Sequence, residues 1–252
     1  IMKINYKNEI LRFYDLPMAK KFIESHSSKR LQIKYYKGLG TSNDKDVVET
    51  FGKRVILYNM DENARNNINR IFNKDESNYR KRWMSEYKEA EPQIEKYNNT
   101  LYKMNITEFI NNSLIQFSID DCKRSIPNIM DGMEESNRKI LYACILKNIQ
   151  KSIKVNQLAG FVAEKTNYHH GEDCLLDTIV SMAQDFVGSN NIPLLFKDGA
   201  FGTRLSGGRD AASARYIFTK LSDITRSIFH PDDDDVLTYL DDDGEEKVKS
   251  DN

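Results

Sequence analysis

A tyrosine with arginines around it is the first candidate for chemistry. Tyr216 lies in the segment Ala-Arg-Tyr-Ile-Phe-Thr, with Arg215 directly before it and Arg204 and Arg209 a short distance upstream. A tyrosine hydroxyl, with a pKa of about 10, is a poor nucleophile unless its surroundings help to deprotonate it or stabilise the developing charge. Arginine presents a planar fork of donors that suits phosphate oxygens, so this group could attack a phosphodiester. The alternative is that Tyr216, one of thirteen tyrosines, packs in a strand beside Ile217.

Two adjacent histidines, His169 and His170, form the second candidate in the segment Tyr-His-His-Gly-Glu. Histidine can hydrogen-bond a phosphate, act as an acid or base, or bind a metal. Cys174 lies four residues beyond His170, but no second Cys or His pair has zinc spacing, so a zinc site is disfavoured. The alternative is that the histidines open a helix with Glu172 at its positive end, a place that also suits an anionic phosphate.

Two further motifs suggest a ligand but lack the spacing that the ligand needs. Lys37 begins the segment Lys-Gly-Leu-Gly-Thr-Ser, which matches neither the P-loop nor the dinucleotide fingerprint and is more typical of a tight strand-to-helix turn. The acidic tail has four consecutive aspartates at 232–235 and three more at 241–243, without the alternate spacing of a calcium loop. A solvated run of charge is the better interpretation of the tail.

Three helices and a glycine-rich stretch are predicted around these candidates. Ser136 can cap the first helix, and we expect the third to stop at Gly188. After short strand-like pieces comes the glycine-rich stretch 201–210, and then another helix. Three helices followed by a glycine-rich ribbon outline a winged helix, a helix-turn-helix variant that docks on DNA. The apolar stripes of the four helices are Ile140, Leu141, Cys144, Ile145 and Ile149; Val155, Leu158, Ala159 and Val162; Leu175, Leu176, Ile179, Val180, Ala183 and Phe186; and Leu221, Ile224, Ile228 and Phe229.

The first hundred residues carry weaker patterns. Alternation predicts strands at 3–6 and 31–36, and Pro17 opens a short helix to Ile23. The turn after the second strand could start a helix at Asn43. From there to about Lys103 the sequence is polar and predicts solvated helices joined by loops.

Composition sets broad limits on the class of protein. The 252 residues are 39% apolar and 30% charged, which is ordinary for a globular chain, and no apolar run approaches a membrane span. Three widely spaced cysteines argue against a disulfide framework and favour a reducing, intracellular compartment. The net charge of −1 neither supports nor opposes nucleic-acid binding. The start Ile-Met-Lys, without a signal-peptide core, leads us to expect a piece of a longer chain.

Seven segments in order carry a family resemblance. They are Lys-Tyr-Tyr-Lys-Gly-Leu-Gly-Thr-Ser, Arg-Ser-Ile-Pro-Asn-Ile-Met-Asp-Gly, Lys-Val-Asn-Gln-Leu-Ala-Gly, Tyr-His-His-Gly-Glu, Phe-Val-Gly-Ser-Asn-Asn, Gly-Ala-Phe-Gly-Thr-Arg and Ala-Arg-Tyr-Ile-Phe-Thr. Together they resemble the breakage-reunion core of eukaryotic-type, type IIA DNA topoisomerase II, a group that includes viral members. The resemblance runs from about residue 33 to 231.

The resemblance implies an α+β fold in four parts. Residues 1–45 would be the C-terminal part of a Toprim domain, 46–105 a helical linker and 106–239 a winged-helix DNA-cleavage domain. Residues 240–252 would be an acidic tail where the family's tower domain begins. The ATPase module and the acidic metal ligands of Toprim are expected outside this segment, so we do not expect it alone to relax supercoils.

The resemblance also implies roles for individual residues. Tyr216 matches the nucleophile, and Arg215 matches the arginine that stabilises the scissile phosphate. The other active-site matches are His170, His169 and Arg124. The residues expected to bind DNA are Arg138, Lys154, Gln157, Arg204, Arg209 and Lys37.

The implied reaction is a transesterification that leaves a 5′-phosphotyrosine and a free 3′-hydroxyl on duplex DNA. The complete enzyme would act as a homodimer with Mg²⁺ and ATP, both bound outside this segment, in the nucleus, cytoplasm or a viral factory. One departure bears on activity, because Glu134 and Glu135 stand where the family usually has Lys and Pro. The alternatives are a winged-helix module that binds DNA without catalysis, and a degenerate remnant of a topoisomerase.

Overall fold

The structure is a computed structural model and divides into two compact units, residues 1–120 and 121–252. Each unit contains helices and strands, so the α+β class predicted from the sequence is confirmed. No helix among the described residues is long and apolar enough to cross a membrane. The described residues are 2–7, 9–13, 16–26, 31–36, 40, 42–52, 55–88, 101–168, 170–237, 239–240 and 246–247.

The first unit opens with a three-stranded antiparallel sheet in the order β2-β1-β3. Ile4, in the middle of β1, pairs with Leu11 on one side and Ile33 on the other and is fully buried. The strands predicted at 3–6 and 31–36 and the helix predicted from Pro17 are confirmed, whereas the pattern does not predict β2. The elements are β1 (Met2–Tyr6), β2 (Glu9–Phe13), α1 (Leu16–Ser25) and β3 (Gln32–Tyr35).

One carboxylate ties helix α2 (Asp44–Thr50) to this sheet. Asn43 caps the helix by accepting a hydrogen bond from the Asp46 amide at 2.9 Å, and the Asp46 carboxylate accepts one from the Asn43 amide at 3.4 Å. The same carboxylate pairs with Lys3 at 2.9 Å and with Lys34 at 3.5 Å. The hydrogen bond from Lys3 is the main reason that the pKa of Asp46 lies far below its usual value. The helix start predicted at Asn43 is confirmed.

The rest of the first unit combines helices with a pair of parallel strands, β4 and β5. The sequence predicts only helices and loops over this stretch, so the prediction is wrong at β4 and β5. Their partners lie far apart along the chain, so local periodicity does not show the pairing. The elements are β4 (Val55–Asn59), α3 (Ala64–Phe72), a 3₁₀ turn (Lys74–Glu76), α4 (Ser77–Ser85), β5 (Leu101–Asn105), α5 (Ile106–Phe109), a π-helical turn (Ile110–Leu114) and α6 (Ile115–Ser125), which crosses into the second unit.

The second unit packs three helices and a small antiparallel sheet, in the order β6-β8-β7, around one apolar core. Apart from Phe186, the three predicted apolar stripes line that core, and Ile140, Leu158 and Ile179 are fully buried. The elements are α7 (Glu135–Leu146), β6 (Ile153–Lys154), α8 (Val155–Lys165), α9 (Glu172–Ala183), β7 (Leu195–Asp198), β8 (Phe218–Leu221), α10 (Thr225–Ile228), a 3₁₀ turn (Pro231–Asp235), β9 (Tyr239–Leu240) and β10 (Glu246–Lys247).

Three predicted helix ends in this unit are wrong. Ser136 does not cap α7, because the helix already begins at Glu135. Helix α9 ends at Ala183 rather than Gly188, because the backbone of Gln184 turns extended. Leu221 is the last residue of strand β8 rather than the start of a helix, because it pairs with Leu195 of β7. A local pattern in the sequence cannot reveal that pairing.

Candidate active site

Tyr216 lies on a loop whose backbone is fixed while its side chain stays exposed. The Tyr216 amide donates to the Ser213 carbonyl at 2.9 Å, and the Ala212 amide donates to the Ala200 carbonyl at 2.9 Å. The next residue, Ile217, is anchored in the core with 2% of its surface exposed, whereas Tyr216 is 71% exposed. Tyr216 precedes strand β8, so the alternative that it packs in a strand beside Ile217 is wrong.

The start of helix α8 holds this loop through its free backbone donors. The Val155 amide donates to the Ile217 carbonyl at 3.1 Å, and the Asn156 amide donates to the Ala214 carbonyl at 3.4 Å. The first amides of a helix have no partner within it, so the loop carbonyls also cap the helix. Because Ala214 and Ile217 lie on either side of the candidate nucleophile, the helix end fixes the backbone around Tyr216.

Arg215 lies against the tyrosine ring on the exposed side of this loop. Its guanidinium carbon is 5.8 Å from the ring centroid of Tyr216, near the outer limit of a cation–π contact. Both side chains are exposed. A phosphate that reached the Tyr216 hydroxyl would therefore lie in the field of a fixed positive charge, which offsets negative charge that develops on the phosphate.

A second group of charged residues surrounds Glu135 at the start of α7. Lys139, one turn along the helix, pairs with Glu135 at 2.8 Å. Partial burial works to raise the pKa of Glu135, but the hydrogen bond from Lys139 and the charges of His170 and Arg124 outweigh it and lower that pKa. His170 and Arg124 are far apart in sequence, and the fold brings both into the electrostatic neighbourhood of Glu135.

His170 stands immediately before helix α9. Its ring meets the ring of Tyr168 edge-on, with 5.4 Å between the centroids, and the side chain is exposed. Gly171 is the N-cap residue of α9, and Glu172 lies in its first turn, as the sequence predicts. His169 lies outside the described residues.

Arg124 lies in the last turn of α6 and pairs with Asp121 one turn earlier. Its side chain is partly exposed. The guanidinium therefore has a protein partner and solvent access at the same time, and a phosphate could replace or share that partner.

The glycine-rich stretch 201–210 forms a closed loop. The amide and the hydroxyl of Thr203 each donate to the Asp210 carboxylate at 2.8 Å, and the Gly208 amide donates to the Thr203 carbonyl at 2.9 Å. Arg204 and Arg209 are exposed on this loop. The loop therefore presents two positive charges from a hydrogen-bonded frame.

Gln184 braces this loop and is a residue that the sequence reasoning misses. Its side-chain amide donates to the Phe201 carbonyl at 2.8 Å and to the Gly208 carbonyl at 3.4 Å. Asn190 in turn donates to the Gln184 carbonyl at 2.9 Å. No signal in the sequence marks Gln184, because the apolar pattern predicts that the helix continues past it to Gly188.

The residues predicted to bind DNA fall into different surroundings. Lys154 and Gln157 are exposed at the start of α8. Arg138 instead holds Asp131 with two hydrogen bonds, from Nε at 2.9 Å and Nη2 at 3.0 Å. Lys37 lies outside the described residues. Contact between these residues and DNA stays a prediction.

Metal ligands do not cluster in the described part of the chain, where no group of three or more His, Cys, Asp or Glu could hold a metal ion. Cys174, which the zinc alternative requires, is exposed and free. Cys144 is buried, and burial raises the pKa of its thiol to about 12, so it belongs to the core rather than to chemistry.

Two family models match the chain in succession. The C-terminal associated domain of TOPRIM matches residues 1–122, and the family of DNA gyrase/topoisomerase IV A subunits matches residues 124–248. The two matches meet close to residue 120, where the structure divides into its two compact units.

Individual relatives are similar along nearly the whole chain. DNA topoisomerase 2 of Invertebrate iridescent virus 6 is 49% identical over 220 residues, covering 86% of this chain and 19% of the relative. DNA topoisomerase 2 of Saccharomyces cerevisiae is 46% identical over 242 residues, covering 94% of this chain and 17% of the relative. The chain thus spans less than a fifth of the length of each of these relatives.

A solved structure is similar as well. The crystal structure of the Plasmodium falciparum topoisomerase II DNA-binding, cleavage and re-ligation domain matches with a TM-score of 0.74 and 38% identity. The match covers 98% of this chain and 34% of that chain.

Proposed function

The chain belongs to the type II DNA topoisomerase family, and from this premise we propose that it supplies the nucleophile that cuts and reseals duplex DNA. One observation carries the proposal. Tyr216 is 71% exposed on a backbone that helix α8 holds on both sides, with the Arg215 guanidinium beside its ring. In-line attack requires the hydroxyl oxygen to be held at a defined position relative to the phosphorus, and a large, rigid substrate cannot adjust its own geometry to meet it. A fixed backbone with an accessible hydroxyl meets that requirement.

The proposed reaction exchanges one phosphodiester for another. The Tyr216 hydroxyl oxygen forms a bond to a backbone phosphorus of DNA while the bond from phosphorus to the 3′-oxygen breaks. The phenol gives up its proton and the departing 3′-oxygen gains one, so the charge balances. The DNA is left with a 5′-phosphotyrosine and a free 3′-hydroxyl, and the reverse attack by that hydroxyl reseals the strand. Arg215 opposes the negative charge that accumulates on the phosphate oxygens during each transfer.

We assign Arg124, His170 and His169 to the binding of the same phosphate region. The support is the shared neighbourhood of Arg124 and His170 around Glu135, since a guanidinium and an imidazole brought together by distant elements can both donate hydrogen bonds to an anion. Lys154 and Gln157 extend the surface along the start of α8. Arg138 would have to release Asp131 to reach DNA, so we assign it first to holding the loop before α7.

The wider architecture follows from the family as part of this proposal. Residues 106–239 would act as a winged-helix DNA-cleavage domain, preceded by the Toprim part at 1–45 and the linker at 46–105, with an acidic tail at 240–252. The complete enzyme would be an intracellular homodimer that uses Mg²⁺ and ATP. As the family resemblance implies, we propose that both cofactors bind elsewhere in the assembly.

A substrate with an activated leaving group tests the nucleophile directly. A duplex with sulfur replacing the bridging 3′-oxygen at one position, labelled at the 3′ end of that strand, releases a thiolate instead of an alkoxide. We expect the chain to become covalently attached to the labelled strand, which a denaturing gel detects and peptide mass spectrometry locates at Tyr216. The Tyr216→Phe variant should form no adduct, because only the attacking oxygen is removed.

A matched control separates this result from a general effect of tyrosine removal. Tyr142 lies on α7 and is 37% exposed, so Tyr142→Phe should leave adduct formation unchanged. An adduct that persists in Tyr216→Phe, or no adduct with the unsubstituted chain, would contradict the proposal. DNA binding without any adduct is the outcome that favours the non-catalytic module instead.

A further inference from the structure

A groove lined by aromatic side chains lies within the first unit and contains none of the candidate site residues. Its aromatic residues are Tyr79, Trp83 and Tyr87, which recur every four residues along helix α4 and just beyond its end. Residues four apart lie on one side of a helix, and the backbone of Glu86 keeps a helical conformation. The cavity has a volume of about 440 Å³, within the roughly 300–1,000 Å³ of small-molecule sites. We call it the aromatic groove.

Two of the three rings are held in place by hydrogen bonds to a neighbouring segment. Nε1 of Trp83 donates to Oδ1 of Asn111 at 3.0 Å, and Nε2 of Gln116 donates to the Tyr87 hydroxyl at 3.1 Å. Asn111 belongs to the π-helical turn, a backbone irregularity that occurs frequently at functional sites. Ile115, next to this turn, lines the groove and is only 2% exposed. The rings are therefore positioned before a ligand arrives, so little conformational freedom is lost on binding.

The charges at the groove favour an anion that carries an aromatic ring. Arg82 and Lys88 line the groove and are exposed, against one carboxylate, that of Glu86. A further cation, Arg70, lies over the Tyr79 ring, with its guanidinium carbon 4.9 Å from the centroid. Arginine donates to phosphate oxygens, and aromatic side chains stack on nucleobases. A cationic ligand such as a methylated lysine would instead meet like charges at this groove.

We propose that the aromatic groove binds single-stranded nucleic acid, with one unpaired base stacked against the rings and the adjoining phosphate on Arg82 and Lys88. Proteins that bind single strands combine cations with aromatic side chains in this way, because every base has a π-face and every nucleotide carries a charge. A duplex does not fit this groove, because its bases already stack on one another. The inference does not rest on the proposed function, since the groove belongs to the first unit and Tyr216 to the second.

The fluorescence of Trp83 reports on this groove alone, because Trp83 is the single tryptophan of the sequence. A base that stacks on the indole quenches its fluorescence, whereas nucleic acid bound elsewhere on the chain leaves it unchanged. The 252-residue chain is titrated with a short oligothymidylate, whose bases stay unpaired, and in separate arms with a blunt duplex of equal length and with thymidine monophosphate. We expect saturable quenching by the oligothymidylate, and much weaker quenching by the duplex and by the mononucleotide, which has no neighbouring phosphate.

Substitutions at Tyr87 test the stacking. Tyr87→Ala should weaken binding about fivefold or more, because a stacking surface is lost. Tyr87→Phe should keep the affinity, since it retains the ring and loses only the contact with Gln116. Phe72 is 70% exposed outside the groove, so Phe72→Ala removes a matched aromatic ring and should change nothing. Circular dichroism of each variant checks that the fold is intact.

A second pair of variants tests the phosphate contact at exposed positions, where the fold is not at risk. Arg82→Ala should weaken binding and reduce the slope of log affinity against log salt concentration by about 0.7, the value for one phosphate of a single strand. Lys81 is the neighbouring residue of α4 and is exposed but does not line the groove. Lys81→Ala should therefore leave the slope nearly unchanged.

Several results would overturn the single-strand site. These are no saturable quenching by the oligothymidylate, equal quenching by the duplex or the mononucleotide, or an equal loss of affinity in Tyr87→Ala and Phe72→Ala. Quenching by a trimethyl-lysine peptide but not by the oligothymidylate would identify a cation site instead. The adduct at Tyr216 is measured separately, so failure of the groove and failure of the nucleophile are distinguishable.

Discussion

Adding one methyl group at Gly202 should damage the glycine-rich loop far more than adding it at Gly207. Gly202 has φ of +89°, and a Cβ there would lie 2.5 Å from the Gly208 carbonyl oxygen and 2.7 Å from the Gly208 Cα. The neighbouring atoms are backbone, so they cannot rotate away as a side chain would. Gly207 has φ of +59° and no atom within 4 Å of the Cβ position. Gly207→Ala is therefore a matched control in the same loop.

The magnitudes can be worked from these contacts. At Gly207 the cost is the left-handed backbone alone, about 1–2 kcal/mol, partly offset by the lower entropy of the unfolded chain, about 0.4–1 kcal/mol. At Gly202 the φ value costs about 1–3 kcal/mol, and the overlap with the opposite arm adds about 1–3 kcal/mol. We expect the free energy of unfolding to fall by about 1 kcal/mol for Gly207→Ala and about 2–6 kcal/mol for Gly202→Ala, when a domain has only about 5–15 kcal/mol in total.

The assay is urea unfolding followed by two signals. Circular dichroism reports on both units, whereas the fluorescence of Trp83, the single tryptophan of the sequence, reports on the first unit. We expect Gly202→Ala to move the circular dichroism transition to lower urea with a much smaller change in fluorescence. Equal losses of stability for the two variants would refute the reasoning, because the overlap with Gly208 would then carry no cost.

Two further predictions concern thiol reactivity and pH. Cys174 is exposed and Cys144 is buried with a raised pKa, so a maleimide should label Cys174 rapidly in the folded chain and leave Cys144 unlabelled until urea is added, as peptide mass spectrometry can show. The hydrogen bond from Arg138 lowers the pKa of Asp131 in the folded chain. The pair therefore stabilises the fold fully above the ordinary carboxyl pKa of about 4, and this stabilisation is lost as the pH falls through the lower pKa of the folded chain. Urea midpoints between neutral pH and pH 3 should therefore fall less steeply for Asp131→Asn than for the unsubstituted chain, and parallel curves would exclude a role for the pair.

The three core helices could be predicted because their apolar residues recur at the helical period over several turns. Their ends could not, because an end depends on what the first free backbone group meets. Helix α8 shows this well, since Val155 and Asn156 donate to carbonyls of the distant Tyr216 loop. Strand β4 shows the same limit, because its partner β5 comes more than forty residues later in the chain.

The candidate site was predictable where it depends on residue type and neighbours in sequence. Tyr216 with Arg215 is such a case. The brace from Gln184 was not, because an amide that binds two carbonyls leaves no pattern along the chain. The assignment of Arg138 also needed coordinates, since only they show that its guanidinium already holds Asp131 at 2.9 and 3.0 Å. Residue type suggests a phosphate contact, and geometry shows a competing partner.

For Glu135, the contacts in the structure change what the residue type alone suggests. The sequence shows only that a carboxylate stands where the family usually has proline, which suggests repulsion of DNA. The structure adds that Lys139 pairs with this carboxylate at 2.8 Å and that Arg124 and His170 act on it as well. At position 135 a phosphate that approaches Arg124 and His170 therefore meets a carboxylate whose charge Lys139 already offsets, rather than an unpaired negative charge. Because a compensated charge repels far less than a free one, we expect Glu135 to oppose phosphate binding less than the sequence suggests, so that the charge reversal at Glu134 is the larger part of this departure.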